Sequence, residues 1–486
     1  MSDKNPNTVC IIGGGMSGLF IGALLAKNGY KVTVLEKNHI IGGGLQSFRR
    51  GDAVFNTGMQ VFVGYGSNFA LERLLNYVGI SEQDLQPIPT DANAQEIIWV
   101  DDTHCYHLPR GRVAYEHYLI SLFPQEKEGI HLFLDAIYEI GNTFDYFFLR
   151  PMQPHPEVIK YSSLTADQLI RQYLHDENLI KLIGYTSIHI GQNLSKAPAV
   201  ELGMIMTLYI EGSWHLSGGN VKFAQLLKEA ICSNGGELLS ESEITKIHVI
   251  GQKVGWIETA NGNRYKADVF ISSISPHLLL TIADGDVFRP ATKIRLNTYY
   301  NKFSGFAVFL KFKERAFPYS NSSVFIPLSQ EDEVLPQYIN LITPSAEHQD
   351  EWARTMEIYV PCRYSIFEQW ENTFTGNRND AQYENLKEEL SQNIISYVAR
   401  YIPELPTGIE SVYVGTSLTL RDYYGNLKGE TYSQQGLFVP IKTRMNNLFL
   451  TGQSVMYQGL FGVATTSIIA SEIVLGRSLI EDIAKA

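Results

Sequence analysis

Hydrophobic and polar positions at the start of the chain alternate in a pattern that predicts a strand, a helix and a second strand. Residues 8–12 form a short apolar run, residues 16–27 are rich in helix formers, and the β-branched segment KVTVLE follows Gly29. Gly29 supplies a stop for the helix, because glycine readily adopts the left-handed conformation that ends helices. The first 36 residues therefore predict one βαβ unit.

The centre of the chain follows a different pattern. Residues 96–111 predict two short strands joined at an Asp-Asp-Thr turn, and residues 115–146 are mostly helical in pattern. Residues 303–313 alternate like a half-buried strand, and apolar side chains recur at helical spacing between Tyr383 and Tyr401. These segments predict a second domain of mixed strands and helices, inserted into the first.

Two later segments return to the pattern of the first unit. A helix is predicted from about Val221 to the Gly235–Gly236 pair, followed by strand segments that end near Ser272. Residues 446–476 predict an apolar strand, a glycine-rich turn and a long helix of small residues. The first, discontinuous domain is therefore assigned to residues 1–75, 216–280 and 410–486, and the inserted domain to residues 76–215 and 281–409.

Composition narrows the range of partners. The net charge of the 486 residues is −12, and lysine and arginine are not clustered, which argues against a nucleic-acid-binding protein. The four cysteines show no Cys-x-x-Cys spacing, so neither a disulfide framework nor a metal site is expected. The polar N-terminus lacks the pattern of a signal peptide, and no apolar run of about 20 residues predicts a membrane span. We expect a cytoplasmic protein, either soluble or peripherally attached to a membrane.

A glycine motif follows the first predicted strand and opens the first predicted helix. Its members are Gly13, Gly15 and Gly18; the first permits a tight turn, the second lets a pyrophosphate approach the backbone, and the third packs helix against strand. Glu36, at the end of the second strand, can accept hydrogen bonds from an adenosine ribose and would repel a 2′-phosphate. The motif predicts FAD or NAD, although glycines also occur in tight turns for backbone reasons alone.

Further motifs occur in order along the chain. After Glu36 and Lys37 come Gly42–Gly44, then FNTGMQ, LPRG, SGG, LFLTGQ and GLFGV. This order resembles the carotenoid desaturase, carotenoid isomerase and retinol saturase family of flavoproteins along nearly the whole chain. The segments FPQEKEGI and LTLRDYYGNLKGETY are most similar to the retinol saturase and carotenoid isomerase branch. The resemblance implies an α/β fold in which a Rossmann-like FAD-binding domain, of the two-dinucleotide-binding-domain type, carries an inserted α+β substrate-binding domain.

The resemblance also implies roles for individual residues. Those expected at the phosphates, ribose and adenine of FAD are Gly13, Gly15, Gly18, Glu36, Lys37 and Ile244. Those expected along the rest of the cofactor are Gly43, Gly44, Gly58, Gly452, Gln453, Gly462 and Val463. Gly452 and Gln453 would approach the flavin phosphates or ribityl chain. The helix that begins near Gly462 would stabilise negative charge on the reduced isoalloxazine.

Three positions depart from the family motifs. Gly44 and Leu45 stand where the desaturase branch usually has arginine after its Gly-Gly pair, Asn56 stands in a motif usually written FDTG, and Gln60 replaces the histidine that follows. The first departure argues against plain desaturation. The other two remove titratable groups near the expected flavin, since an amide cannot act as a general acid.

No pattern identifies a catalytic acid, a catalytic base or a metal site. Tyr424, Tyr432 and Tyr457 lie in the matched C-terminal segments and are candidate proton donors, but structural packing is the simpler interpretation among 27 tyrosines. His104 and His107 resemble metal ligands, yet they would point to opposite faces of a strand. Residues 142–154, NTFDYFFLRPMQP, suit either a membrane interface that admits an apolar substrate or a helix in the core.

These observations predict an FAD-dependent oxidoreductase that acts on a carbon–carbon double bond of a long apolar polyene or isoprenoid, with saturation favoured over desaturation. The flavin N5 would carry the hydride, and the protein would supply orientation and an apolar channel. The expected partners are the apolar substrate and an electron donor or acceptor. Two alternatives stay open: a redox-neutral polyene cis–trans isomerase that uses reduced flavin, and a catalytically silent flavin-binding protein.

Overall fold

The structure is a computed structural model. It describes residues 8–58, 61–66, 68–298, 303–328, 335–344, 348–349, 351–431 and 439–486. Gln60 and Tyr432, both singled out from the sequence, lie outside these residues, so the interpretations placed on them remain sequence-based.

A parallel sheet, five-stranded within the described residues, organises one half of the molecule and is called the first sheet. In spatial order its strands are Glu237–Leu239, Lys31–Leu35, Thr8–Ile12, Val269–Ser272 and Leu448–Leu450. Each neighbouring pair is parallel. The central strands are almost entirely buried, as expected for a sheet with helices on both faces. The predicted βαβ unit and the Rossmann-like fold class are confirmed.

Long helices pack beside the first sheet. Met16–Lys27 contacts both Asn220–Ser233 and Gly459–Leu475. Gly22 permits the first of these contacts, because a Cβ atom at that position would lie 2.9 Å from Ile231 Cδ1. Residues 460–471 of the helix Gly459–Leu475 are all buried, which explains why its sequence has no polar face.

A second sheet, mixed and seven-stranded over the described part of the chain, organises the other half. In spatial order its strands are Ile409–Gly415, Phe303–Phe312, Thr355–Arg363, Tyr338–Ile342, Ser323–Pro327, Glu96–Trp99 and Cys105–Leu108. The last two form the predicted hairpin, with Ile98 opposite Tyr106. The helix Ala381–Val398 packs Ile395 and Val398 into the core of this half, as its apolar spacing predicts.

Smaller elements complete the fold. The shorter strands are Ser47–Arg50, Ala53–Asn56, Phe62–Val63, Pro87–Pro89, Ser213–Leu216, Ile244–Ile250, Lys253–Thr259, Arg264–Tyr265, His348–Gln349 and Trp352–Ala353. The other α-helices are Ala70–Tyr77, Glu82–Leu85, Arg112–Leu122, Lys127–Gly141, Ala166–Tyr173, Glu177–Gly184, Ser187–Ile190, Ala199–Glu211, Pro276–Ile282, Pro290–Thr298, Leu405–Gly408, Ser417–Tyr424 and Ile480–Ala484. Among the described residues, no helix combines the length and apolar character needed to cross a bilayer.

The topology supports a division into two domains, which we propose with one refinement. The first sheet draws its strands from the beginning of the chain, from residues 237–272 and from residues 448–450. The second sheet draws its strands from residues 96–108 and 303–415. Ile409–Gly415 pairs with Phe303–Phe312, so the boundary set at residue 410 falls inside a strand of the second sheet and moves to about residue 416.

Candidate flavin and substrate site

A cavity of about 540 Å³ extends from the carboxyl edge of the first sheet to the second sheet. The carboxyl edge is where open parallel sheets bind their ligands. Ile12 and Leu35, at neighbouring strand ends, line one part of the cavity, and Ala307 and Asn340 of the second sheet line another. The predicted cofactor residues in its lining are Gly13, Gly15, Glu36, Lys37, Gly43, Gly44, Gly58, Ile244, Gln453, Gly462 and Val463. Residues from distant parts of the chain thus meet in one site.

Two glycine loops touch at the first-sheet end of the cavity. The N–H of Gly42 donates to the carbonyl oxygen of Gly14 (2.9 Å). A Cβ atom on Gly43 would lie only 2.9 Å from Gly15 Cα, and Gly43 has a φ of +55°, a conformation that favours glycine. These contacts leave bare backbone on the cavity side, against which a phosphate can approach closely.

Gly18 and Gly452 lie behind the cavity wall and permit close packing there. A Cβ atom on Gly18 would collide with the backbone of the glycine motif, and one on Gly452 would lie 2.7 Å from Ser17 Oγ. The helix Met16–Lys27 begins at Gly15 without a side-chain cap. Its first N–H groups therefore lack partners within the helix and suit an anionic ligand.

Glu36 is a buried acceptor at the end of its strand. Its Oε2 accepts a hydrogen bond from the Gly14 N–H (2.8 Å), and its Oε1 accepts one from the Asn38 N–H (2.9 Å). A carboxylate has about four acceptor positions, so capacity remains for ribose hydroxyls in the cavity. Lys37 also lines the cavity, but its Nζ donates to the main-chain oxygen of Asp422 (2.7 Å). The lysine therefore anchors the segment around Asp422.

The helix Gly459–Leu475 begins at the cavity. Its N-cap residue, Gln458, makes no capping hydrogen bond and instead donates from Nε2 to the carbonyl oxygen of Ile190 (3.0 Å). Gly462 and Val463, in the first turns of this helix, line the cavity. The first N–H groups of such a helix, which lack partners within it, and its positive dipole end favour a ligand that carries or gains negative charge.

Asn56, which departs from the family motif, has a buried charged partner. Its backbone N–H donates to Glu357 Oε1 (2.7 Å), and its side-chain amide reaches the same oxygen (3.3 Å). Asn56 is 8% exposed and Glu357 is 0% exposed. Aspartate at position 56 would place two carboxylates in contact inside the protein. The amide of Asn56 avoids this repulsion and donates a hydrogen bond to Glu357 instead. Sequence reasoning missed Glu357, whose signal is an acid in the mostly apolar strand Thr355–Arg363.

Two of the candidate proton donors line the cavity. The Tyr424 hydroxyl donates to the carbonyl oxygen of Thr57 (2.8 Å), and the Tyr457 ring packs edge-on against Phe147 (5.4 Å between centroids). Burial raises the pKa of each phenol to about 12. Both phenols therefore stay protonated at neutral pH, and the Tyr424 proton is already engaged by the backbone.

The cavity wall away from the glycine loops is largely apolar. Its apolar members include Val63, Phe147, Met204, Ile205 and Leu208. Phe147 belongs to the aromatic segment 142–154; it is 3% exposed and packs against Phe461 with 4.7 Å between ring centroids. This ring supports the core interpretation of that segment. Sequence reasoning missed one polar member of the wall, His189.

Polar contacts in the predicted hairpin involve the ring of His104 and the backbone of His107. His104 Nδ1 lies 2.9 Å from Asp101 Oδ2, and the backbone N–H of His107 donates to the Tyr118 hydroxyl (2.9 Å). Across the residues that the structure describes, no group of three or more His, Cys, Asp or Glu side chains has a metal-site arrangement.

The sequence pattern of a known family spans nearly all of the residues described above. The family is described as flavin containing amine oxidoreductase, and it matches residues 16–475. The chain belongs to this family. It is therefore a flavin-dependent oxidoreductase. A flavin cofactor is the ligand that the glycine loops and the two uncapped helix N-termini would bind.

Proteins with similar sequences or folds carry several names. All-trans-retinol 13,14-reductase from Danio rerio is 22% identical over 96% of this chain and 86% of that protein. Chloroplastic prolycopene isomerase from Daucus carota is 23% identical over 95% of this chain and 78% of that protein. An oxidoreductase structure from Methanosarcina mazei has a TM-score of 0.65 at 15% identity, over 96% of this chain and 100% of that chain. These likenesses confirm the fold class and the resemblance seen in the motifs.

Proposed function

We propose that this oxidoreductase binds FAD and adds or removes hydrogen across a carbon–carbon double bond of a long apolar polyene or isoprenoid, with saturation favoured. The observation that carries the proposal is the continuity of the cavity, which joins the glycine loops and Glu36 to an apolar wall. Relatives named for retinol reduction and prolycopene isomerisation support a polyene as the substrate class.

FAD fits the residues at the first-sheet end. The pyrophosphate would lie against Gly13 and Gly15 and the first N–H groups of the following helix, where bare backbone and an uncapped N-terminus meet. The ribose hydroxyls would donate to Glu36. Ile244 would contact the adenine through its backbone, because residues 242–245 line the same part of the cavity.

The remaining predicted contacts follow the cavity toward the second sheet. Gly43, Gly44 and Gly58 would line the middle of the cofactor, and Gln453 its ribityl side. Gly462 and Val463 would face the isoalloxazine, where the start of their helix stabilises negative charge. Gly18 and Gly452 would act indirectly, through the close backbone packing behind the wall.

The bound flavin supplies hydride transfer to or from carbon. The chain itself orients the substrate and excludes water. Phe147, Met204 and Leu208 offer apolar surface to a polyene, and burial of apolar area stabilises such a complex by roughly 25 cal/mol per Å². A polyene substrate without polar groups along its length needs no hydrogen bonds from this wall. The wall therefore selects by shape and apolarity.

A redox-neutral isomerase is the second candidate, because a prolycopene isomerase is similar over 95% of this chain.

One experiment separates the candidates. Protein loaded with FAD is reduced anaerobically with dithionite, all-trans-retinol or a carotenoid is added, and the products are weighed by mass spectrometry. A product two hydrogens heavier supports saturation. A product of unchanged mass with the flavin still reduced supports isomerisation. Failure to bind FAD, or absence of any product, contradicts the proposal and favours a silent protein.

A further inference from the structure

His189 lies in the cavity wall beside a buried carboxylate. Its side chain is 10% exposed, and its Nε2 lies 3.4 Å from Glu96 Oε1. The imidazole stacks on Tyr209 with 3.7 Å between ring centroids, and Phe325 meets it edge-on at 5.3 Å. Within the described residues, Nε2 has no hydrogen-bond partner. The ring is therefore held by stacking and by its ion-pair contact with the Glu96 carboxylate, and the residue lines the cavity.

Glu96 is itself held in place. It is 2% exposed on the strand Glu96–Trp99, and the Tyr185 hydroxyl donates to its Oε2 (2.5 Å). Burial and the Glu96 charge raise the pKa of Tyr185, so this phenol stays a donor. An ionised carboxylate is costly to bury unless charge and hydrogen bonds compensate it. Tyr185 and His189 supply those partners on opposite oxygens of the carboxylate.

His189 lies near the part of the cavity where the isoalloxazine is proposed to bind. The carbonyl oxygen of its neighbour Ile190 accepts the hydrogen bond from Gln458 Nε2 (3.0 Å). Gln458 is the N-cap of the helix Gly459–Leu475, whose first turns are proposed to face the isoalloxazine. His189 thus neighbours the residue that contacts this helix N-terminus, and it lines the same cavity.

We propose that His189 is the acid that delivers the proton during saturation, with Glu96 as its positioning residue; this inference rests on the proposed function. Saturation needs a hydride at one carbon, for which the reduced flavin is the source, and a proton at the other. The π electrons of the double bond form the second C–H bond with the proton from the imidazolium N–H of His189. Neutral imidazole remains, and solvent returns the proton to it.

Histidine suits this task better than the tyrosines of the cavity. Imidazole exchanges a proton near neutral pH, and a group bonded to one ring nitrogen orients the other. The phenols of Tyr424 and Tyr457, with pKa values of about 12, hold their protons much more tightly. A carboxylate behind an imidazole is also the usual arrangement for orienting a catalytic histidine.

The first test needs no turnover. Oxidised, FAD-loaded protein is treated with diethyl pyrocarbonate with and without all-trans-retinol, and the labelling of each histidine is followed by peptide mass spectrometry. Retinol at ten times its Kd should slow His189 labelling about tenfold, because only the free fraction reacts. His248 is the matched control: its side chain is 16% exposed and it stacks on Trp256, away from the cavity lining. Equal labelling of His189 with and without retinol, while retinol perturbs the flavin spectrum, overturns the proposal.

The second test uses turnover. His189→Asn should keep its flavin content and its retinol Kd but lose about 10²–10⁴-fold in product formation. Added imidazole should partly restore turnover to His189→Gly. Glu96→Gln should lower kcat with little change in KM, and His248→Asn should match the wild type. Product formation by His189→Asn at the wild-type rate refutes the role of His189. An inactive wild type instead refutes the proposed function, so the two failures are distinguishable.

Discussion

Replacing Asn56 by aspartate tests the buried contact between Asn56 and Glu357. The change removes an amide hydrogen bond to a charged group, worth about 1.5–3 kcal/mol. It also sets two carboxylates against each other in place of the 3.3 Å amide contact. Two like charges at that separation repel by about 5 kcal/mol at an effective dielectric constant of 20. Because one carboxyl can take up a proton instead, the expected loss in free energy of unfolding is about 3–5 kcal/mol at pH 8.

The loss should depend on pH with a definite sign. The folded variant binds one proton more than its unfolded state near neutral pH, so its stability relative to the wild type falls as pH rises. Urea denaturation at pH 6 and pH 8 measures both values. The double variant Asn56→Asp/Glu357→Gln restores an amide–carboxylate pair and should recover about 2–3 kcal/mol. Wild-type stability of Asn56→Asp at pH 8, or no recovery in the double variant, refutes the reasoning.

Three further predictions concern the glycine loops, a histidine with two carboxylate partners and a tyrosine. Gly43→Val should abolish FAD retention because the valine side chain would collide with Gly15. Gly51→Val is the control: Gly51 has a similar φ, a Cβ atom there would meet nothing within 4 Å, and the variant should retain FAD. The flavin absorbance of the purified proteins measures both outcomes. The pKa of His155 is raised by hydrogen bonds to Asp145 and Glu157, so the Tm difference between wild type and His155→Ala should be full below about pH 6.5 and vanish as pH rises through the folded pKa. Tyr424→Phe should cost about 1 kcal/mol of stability, seen in urea denaturation, and leave turnover nearly unchanged, since its proton is engaged by a backbone carbonyl; a large loss of turnover would make it the acid.

Local signals made the first-sheet half of the fold predictable. The glycine motif, the helix stop at Gly29 and the strand before Glu36 each depend on residues close in sequence, and the structure has the helix Met16–Lys27 and both strands where the pattern predicts them. The hairpin Glu96–Leu108 followed from its turn residues for the same reason. The sheet to which the strand Ile409–Gly415 belongs could not be predicted, because only its pairing with Phe303–Phe312 reveals that sheet.

The polar residues around the cavity were harder to predict. Glu357 stabilises Asn56, and Glu96 orients His189, but each partner lies far away along the chain. Nothing next to Asn56 in the sequence indicates that a buried carboxylate accepts hydrogen bonds from it. Such pairs arise where a strand of the second sheet meets a segment distant in the chain, so they depend on tertiary packing rather than on local pattern.

The most direct test of the central claim is a single turnover followed by stopped-flow absorbance and mass spectrometry. FAD-loaded protein is reduced by one equivalent of dithionite without oxygen and mixed with excess all-trans-retinol. We predict that flavin absorbance returns and that one product, two hydrogens heavier than retinol, forms per flavin reoxidised. A flavin that stays reduced in the presence of retinol and carotenoids, with no product of increased mass, would contradict it.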